Sequence, residues 1–361
     1  MVRQVAERLA GLFRDEKIDV ICVLGGPYVG KTWLVNHILD SEKINSVEVF
    51  DNVNSYDEFE NIMKHKFNSQ KRYVIVGRLL QERCKELIEN NLQVGYVNLY
   101  PMNYYEFSLA VPKVYNISNG DLLKMHMLVG GLPEVVKTFV QTGDIECVRQ
   151  KQRQLFEYIK AILMAKGQKV INSVIEQELS DGSGFCIRKI DKNARDRDYG
   201  IVIEELISMG VIEKIDRLVS EDDRDVRKYR LSFYDLGIYS MIKDFDITNL
   251  CDRYGDRNKA LIENFYYKEL RTYIDKETEV IKYWKKYRAK AKIAIVIEKL
   301  DNREDKKYVT ISLEDKVTGI SRSAQAFMKE YSMTVPISVQ MPTIDNVLEG
   351  QGVYYKISHI T

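Results

Sequence analysis

An α/β fold that opens on a parallel sheet is predicted by three observations. Short β-branched runs alternate with helical patterns from residue 1 to about 110. A glycine-rich stretch, GGPYVGKTWL (Gly25–Leu34), joins the first of those runs to the helix that follows it. Beyond them the pattern changes twice, first to helices that close on a hairpin and then to a mixed α/β unit. At 361 residues the chain is too long for one ordinary core, so several domains are expected.

The first element is MVRQVAERLAGLFRDEK, where Val5, Leu9, Leu12 and Phe13 fall at helical spacing and charges are spread throughout. It reads as an amphipathic helix rather than a signal peptide. IDVICVL (18–24), VEVF (47–50), RYVIV (72–76) and VGYVNL (94–99) read as strands. KTWLVNHIL, SYDEFENIMKHKF and LLQERCKELIENN are the helices between them, an alternation that packs helices on both faces of a parallel sheet. These elements define a domain over residues 1–115.

Residues 116–165 are almost entirely helical and read as a lid or linker. LVGGLPEVV breaks them, with two glycines at one helix end and Pro133 in the first turn of the next. Over 166–250, helices are followed by VIEKIDRL, the polar turn SEDDRD and KYRLSFY, the order of a winged helix-turn-helix. Residues 251–361 carry a helix (NKALIENFYYKELRTYI), three strands (EVIKYW, KIAIVIE, KYVTISL), a helix (SAQAFMKEY) and the strands TVPISVQ and GVYYKIS. This is a separate mixed α/β unit.

Composition narrows the function classes. Lys and Arg total 54 against 53 acidic residues, so net charge points to neither nucleic acid nor membrane, and any basic surface must be local. Cys22, Cys84, Cys147, Cys186 and Cys251 are scattered, with no CxxC, which argues against a zinc site or a disulfide framework. A reducing cytoplasm is the expected location. The apolar run IDVICVL is too short to span a bilayer, so no membrane association is expected.

The glycine-rich stretch satisfies GxxxxGK[ST] in full, as Gly25, Gly26, Pro27, Tyr28, Val29, Gly30, Lys31 and Thr32. Between a strand and a helix this is a phosphate-binding P-loop. Its glycines let backbone N–H groups wrap a polyphosphate, and the helix after it turns its positive end to the same place. ATP and Mg²⁺ are the expected ligands. Lys31 supplies a charge to the β/γ-phosphates and Thr32 a hydroxyl to Mg²⁺.

VEVFDN supplies a further Mg²⁺ ligand as Asp51, whose bland alternative is a helix N-cap or turn residue. The next residue, where a water-polarising Glu is usual, is Asn52, and an amide accepts no proton from water. The expectation is therefore a chain that holds ATP and hydrolyses it weakly or not at all. A working ATPase would need an acid from elsewhere, such as Glu48 or Asp57. Arg78, at the end of RYVIVGR, sits where Ser, Thr or Asn would be usual; it reads as a solvated helix-start residue, with γ-phosphate contact as the alternative.

The stretches GGPYVGKTWLV, YVIVGRLL, LYPMNYYEFSLA, MLVGGLPEVVKTFVQTGD, RKIDKNARDRDYGIVIEELISMGVIEKI, YRLSFYDLGIYSMI, LIENFYYKEL and ISRSAQAFMKEY carry a resemblance over nearly the whole chain. They are similar to a large prokaryotic family of AAA-type ATPases that joins a P-loop domain, a winged helix and a C-terminal restriction-endonuclease-like domain. The resemblance implies a P-loop NTPase parallel sheet, then a helical and winged-helix domain, then a nuclease-like α/β domain, in a degenerate member. The spacer from Thr32 to Asp51 is short for the family, which implies a missing strand and helix. Tyr96 lies where the family carries a basic residue before LYP.

The resemblance also places the nuclease-like site, where an Asp on one strand and a Glu-x-Lys on the next would hold Mg²⁺. Ala294 stands at the Asp position, and Ser312 and Glu314 stand at the Glu and Lys positions. A slipped register gives Glu314-Asp315-Lys316, still without the first Asp, so an inactive domain is expected. Glu263 and Glu269 match the family's preceding helix, with capping and solvated surface as their bland reading. In IRKIDKNARDR, the cations Arg188, Lys189, Lys192, Arg195 and Arg197 alternate with Asp191, Asp196 and Asp198. Residues 181–235 therefore read either as a DNA or protein contact or as a salt-bridged helix start in a lid.

Overall fold

The computed structural model describes residues 3–66, 71–87, 92–112, 117–178, 184–219, 229–245, 256–274, 278–287, 289–299, 307–312, 322–331 and 337–340. The chain divides into two compact units. One holds Met1–Pro112, Val129–Gln168 and Arg197–Ile212; the other holds Lys113–Leu128, Lys169–Asp196 and Glu213–Thr361. Among the described residues no helix is long and apolar enough to cross a membrane.

The chain begins with helix α1 (Val5–Arg14), which buries Leu9, Ala10 and Phe13 as its apolar spacing predicts. Strands and helices then alternate: β1 (Val20–Gly25), α2 (Lys31–Ser41), β2 (Val47–Val53), α3 (Tyr56–Asn61), β3 (Arg72–Gly77), α4 (Gln81–Glu86), β4 (Val94–Leu99) and α5 (Tyr104–Ala110). A π-helical turn, Ile62–Lys66, prolongs α3. The strands form a parallel sheet of four in the order β2-β3-β1-β4. No strand lies between α2 and β2, as the short spacer implies.

Central β1 is apolar throughout and buried from Val20 to Leu24, as a strand covered on both faces must be. Val20, Cys22, Leu24, Tyr73 and Ile75 form one core with Phe59, Ile62, Leu79 and Cys84. Because all four strands run the same way, Gly25, Val53, Gly77 and Leu99 end along one edge of the sheet. Arg72, at the opposite edge, closes α1: it donates to the carbonyls of Leu12 (2.9 Å), Phe13 (2.7 Å), Asp15 (3.0 Å) and Ile18 (2.9 Å).

The later elements are α6 (Asn119–Val129), α7 (Pro133–Thr142), α8 (Ile145–Ala161), α9 (Ala165–Glu178), α10 (Asp196–Ser208), β5 (Ile212–Leu218), β6 (Tyr229–Phe233) and α11 (Leu236–Ile242). After them come α12 (Asp256–Leu270), β7 (Glu279–Lys285), β8 (Lys292–Lys299), β9 (Lys307–Ser312), α13 (Arg322–Glu330) and β10 (Ile337–Gln340). The second unit is built on a six-stranded sheet in the order β10-β9-β8-β7-β5-β6. The two strands read from sequence as a wing are thus continuous with the C-terminal sheet: Arg217 and Leu218 pair in parallel with Tyr283 and Trp284. Trp284 meets Phe327 of α13 edge to face at 5.3 Å, in a core with Leu218, Ile293, Val296 and Tyr308. The turn SEDDRD and the strand GVYYKIS lie outside the described residues.

Arg72→Met keeps the aliphatic stem and removes the bonds that close α1. We expect it to cost roughly 2–3 kcal/mol in urea unfolding, the range for losing charge-assisted hydrogen bonds. An unchanged unfolding midpoint would show that water replaces the guanidinium at no cost.

Candidate nucleotide-binding site

The sheet's C-terminal edge positions the loop. Gly25 leaves β1 at a φ of 152°, and a Cβ there would lie 2.1 Å from the Leu99 carbonyl oxygen, so no other residue fits. Gly26, Pro27 and Val29 are buried and Tyr28 is exposed. Tyr28 adopts a φ of 60°, a left-handed conformation that a bulky L-residue pays about 1–2 kcal/mol to hold. Gly30, at a φ of 90°, is the N-cap of α2, which no side chain caps and whose first turn contains no acidic residue. That end of the helix presents backbone N–H groups and positive potential to the loop.

Lys31 folds back over the loop. Its Nζ donates to the carbonyls of Gly25 (2.9 Å) and Gly26 (2.6 Å). An ammonium carries three donors, so these two bonds leave one for a ligand. Burial lowers Lys31 to about 8, with Arg78 acting in the same direction and Asp51 against it. Both side chains therefore bear on the loop. Thr32, next along α2, is exposed.

Asp51 lies within β2, and its Oδ1 accepts from the Asn52 N–H at 2.7 Å. The N-cap alternative for Asp51 does not hold, because Ser55 caps α3 by accepting from the Glu58 N–H. Asn52 is exposed at a φ of 62°, where β2 slips register against β3 between Phe50 and Val53. Glu48, a rival acid, sits three residues back toward the opposite edge and pairs with Lys71 at 3.5 Å. That distance along a strand, roughly 10 Å, removes it from the loop. Asp57, the other rival, belongs to the first turn of α3.

Arg78 is not a helix-start residue, since α4 begins at Gln81. It is half-buried, and its Nε donates to Asn54 Oδ1 at 2.9 Å. Tyr96, in β4, is a packing residue whose phenol burial pushes up, with Lys85 Nζ 5.7 Å from its ring centre.

Several supports of the loop escaped the motif. Arg3 donates to the Val29 carbonyl (3.0 Å) and the Tyr100 carbonyl (2.6 Å), and pairs with buried Glu106 at 3.3 Å. Pro133 at the start of α7 lies 3.3 Å from where a Gly30 Cβ would be. Gly210, at a φ of 65° after α10, packs so close that a Cβ would stand 2.8 Å from Gly26 Cα. Met102 donates its N–H to the Gly131 carbonyl at 2.7 Å, which ties the LYP segment to LVGGLPEVV. The glycine pair in LVGGLP was the available signal; a lone Arg3 or Gly210 gives none.

The donor set suits a polyphosphate: a glycine cradle, an uncapped helix N-terminus and a lysine with a donor to spare. Among the described residues no three His, Cys, Asp or Glu side chains converge on a metal position. A cation here would take few protein ligands, as Mg²⁺ does when phosphate oxygens and water complete its shell.

In the second unit, Ala294 of β8 lines a cavity of about 40 Å³ with Glu178, Glu263, Asn264 and Ser232. Glu178 accepts from Ser232 Oγ and from the Phe233 N–H, and burial pushes it up to about 7. The solvated-surface reading fails for Glu269, which is buried 4.0 Å from His126 Nδ1, while half-buried Glu263 lines this cavity. Ser312 ends β9, while Glu314, Asp315 and Lys316 lie outside the described residues. Of the basic residues at 188–197, all five are exposed; Arg197 pairs with Asp198 at 3.7 Å and Asp191 with Lys169 at 2.9 Å.

The four-stranded parallel sheet with this loop at its edge makes the first unit a P-loop NTPase-like core. No protein-family model matches the chain, and no curated protein does. Among solved structures the chain is similar to the Walker-type ATPase PABY2304 of Pyrococcus abyssi, at 10% identity over 67% of this chain and 95% of that one, with a TM-score of 0.45. It is also similar to Cdc6p from Pyrobaculum aerophilum, at 12% identity over 67% of this chain and 93% of that one, with a TM-score of 0.24.

The lowered Lys31 has a measurable consequence for stability. Between about 8 and the ordinary lysine value near 10.5, the unfolded chain binds the Lys31 proton and the folded chain does not. Stability should therefore rise with pH across that window in the native chain relative to Lys31→Met. Parallel pH profiles for the two proteins would show that the Lys31 ammonium is not desolvated.

Proposed function

We propose that the first unit binds ATP with Mg²⁺ at Gly25–Thr32 and that the nucleotide acts mainly as a structural or switching ligand. The observation that carries this reading is Lys31, held over the glycine loop by two loop carbonyls with its third donor unspent. Lys31 would serve the β/γ-phosphates, and the N–H groups of α2 would complete the cradle. Thr32 and Asp51 would hold Mg²⁺, which supplies charge neutralisation along the phosphate chain. Asn52 follows Asp51 in the register slip of β2, and its amide takes no proton from water, which supports slow turnover.

For the second unit we propose an α/β domain that does not cleave nucleic acid. Ala294 offers no ligand to a divalent ion at the cavity it lines. Among the described residues, the paired charges around Asp191 and Asp198 favour a solvated, salt-bridged surface over a phosphate-binding one at 188–198.

Mg-ATP at 100 times its dissociation constant should stabilise the native chain by about 2.7 kcal/mol, read as a rise in melting temperature. Lys31→Ala should lose most of that rise, and equal melting with and without Mg-ATP in the native chain would overturn the assignment. In single-turnover assays Asn52→Glu should be at least about tenfold faster than the native chain, because a positioned base contributes 10²–10⁴. Brisk native turnover that Asn52→Glu fails to improve would mean another residue activates water. Supercoiled plasmid incubated with Mg²⁺ or Mn²⁺ should stay intact; cutting that disappears in Lys316→Ala would restore the slipped Glu314–Lys316 site.

A further inference from the structure

We propose that the exposed ring of Trp33 is the platform on which the nucleobase stacks, so that the site takes purine nucleotides as a class. The inference rests on the loop's being a nucleotide site and deepens it by assigning the part of the ligand that the loop leaves unread.

The start of helix α2 fixes where the phosphates end. The Leu34 N–H already donates to the Gly30 carbonyl at 3.0 Å, which closes the first turn. The N–H groups of Lys31, Thr32 and Trp33 are the ones that this turn leaves without an intrahelical acceptor. Lys31 serves the outer phosphates, with its Nζ folded back over Gly25 and Gly26. The innermost phosphate then lies at the far end of the row, beside the Trp33 N–H. The nucleoside attached to it leaves past the Trp33 side chain.

Burial does not account for Trp33. Helix α2 buries Leu34, Val35 and Ile38, and Trp33 stands off that face at 46% exposed. A large aromatic so far in water forgoes the burial that usually keeps tryptophan in a core. One turn further on, exposed His37 lies flat against it, with ring centres 4.9 Å apart and planes 13° from parallel. The imidazole lies over one face of the indole and holds its plane. A base stacked on the other face adds a third ring system to an existing pair. His37 is in that sense a positioning residue.

Stacking selects by ring area rather than by the pattern of donors and acceptors on the base. A purine presents two fused rings to the indole, a pyrimidine one, and bare tripolyphosphate none. Adenine and guanine are alike in this respect, because every base offers a π-face. The expected order of affinity is therefore ATP with GTP, then CTP, then tripolyphosphate.

The test is calorimetric titration of the native chain, Trp33→Ala, Trp33→Phe, His37→Ala and His37→Phe, with melting curves to check that each variant folds. The ligands are the Mg²⁺ complexes of ATP, GTP, CTP and inorganic tripolyphosphate. The native chain should bind both purine nucleotides about tenfold to a hundredfold more tightly than tripolyphosphate, the scale of one base–aromatic stack. Trp33→Ala should bring ATP down to the level of tripolyphosphate and leave tripolyphosphate itself within about twofold. Trp33→Phe should keep most of the preference. His37→Ala should lower it severalfold, and His37→Phe, which restores a flat ring, should return it. Fluorescence supplies a second readout. The chain holds two tryptophans, and Trp284 is fully buried, its Nε1–H donating to Glu330 Oε1 at 3.1 Å. A change in emission with ATP and not with tripolyphosphate should therefore belong to Trp33 and vanish in Trp33→Phe. Equal affinity of the native chain for ATP and tripolyphosphate would overturn the platform and leave the loop assignment standing. So would an ATP preference that survives Trp33→Ala, or equal losses of both ligands in that variant. Native chain that binds neither ligand would sink both readings.

Discussion

The close approach of two backbones at Gly25 is the constraint from which the site follows. With a side chain there, the end of β1 could not lie against the Leu99 carbonyl, and the last pairing between β1 and β4 would be lost. The same device recurs around the loop. Gly77 meets Val53, Gly131 meets Met102 and Gly210 meets Gly26, each with less room than one methyl group needs. Backbone against backbone brings peptide dipoles closer than packed side chains allow, which is how a short loop gathers so many N–H groups at one point.

The two units treat charge in opposite ways. At the edge of the first sheet, Lys31, Asp51, Arg78 and Thr32 stand at or near solvent, where a ligand can compete for them. In the second unit, half-buried Glu178 meets buried Ser232 and Lys268, with Ser232 donating to Glu178 and Lys268 donating to Ser232 at 2.7 Å and pairing with Glu213 at 3.4 Å. A buried network of this kind holds its shape only if each member keeps its partner, since an orphaned charge there costs several kcal/mol, on the order of 3–5. The first arrangement is poised for exchange and the second for permanence.

Much of the first sheet was legible because its signals are local. VGYVNL matches β4 residue for residue, and the loop motif depends on one glycine-rich turn between a strand and a helix. What stayed hidden depends on distant partners. Nothing near Arg3 announces that its guanidinium reaches Val29, Tyr100 and Glu106. The hairpin of β5 and β6 has the local pattern of a wing, and only its pairing with β7, more than sixty residues on, makes it part of a larger sheet. Glu269 looked solvated because helix α12 is rich in polar residues; its burial is set by His126, on a helix far away in sequence. The misreading of Arg78 has the same origin, since its partner Asn54 belongs to another strand's tip.

The bonds of Arg3 carry a consequence for the order in which the molecule is made. The glycine loop is complete as a segment once residue 32 has been joined, yet its brace needs Tyr100 and Glu106, and its packing surfaces include Pro133 and Gly210. A chain emerging from the ribosome must therefore carry an unbuttressed loop until more than half of it has been synthesised. Contacts this far apart in sequence form slowly, after the loop-closure entropy has been met. Newly made chains will gain the ability to hold a phosphate ligand late, as one of the last local structures of the first unit to settle.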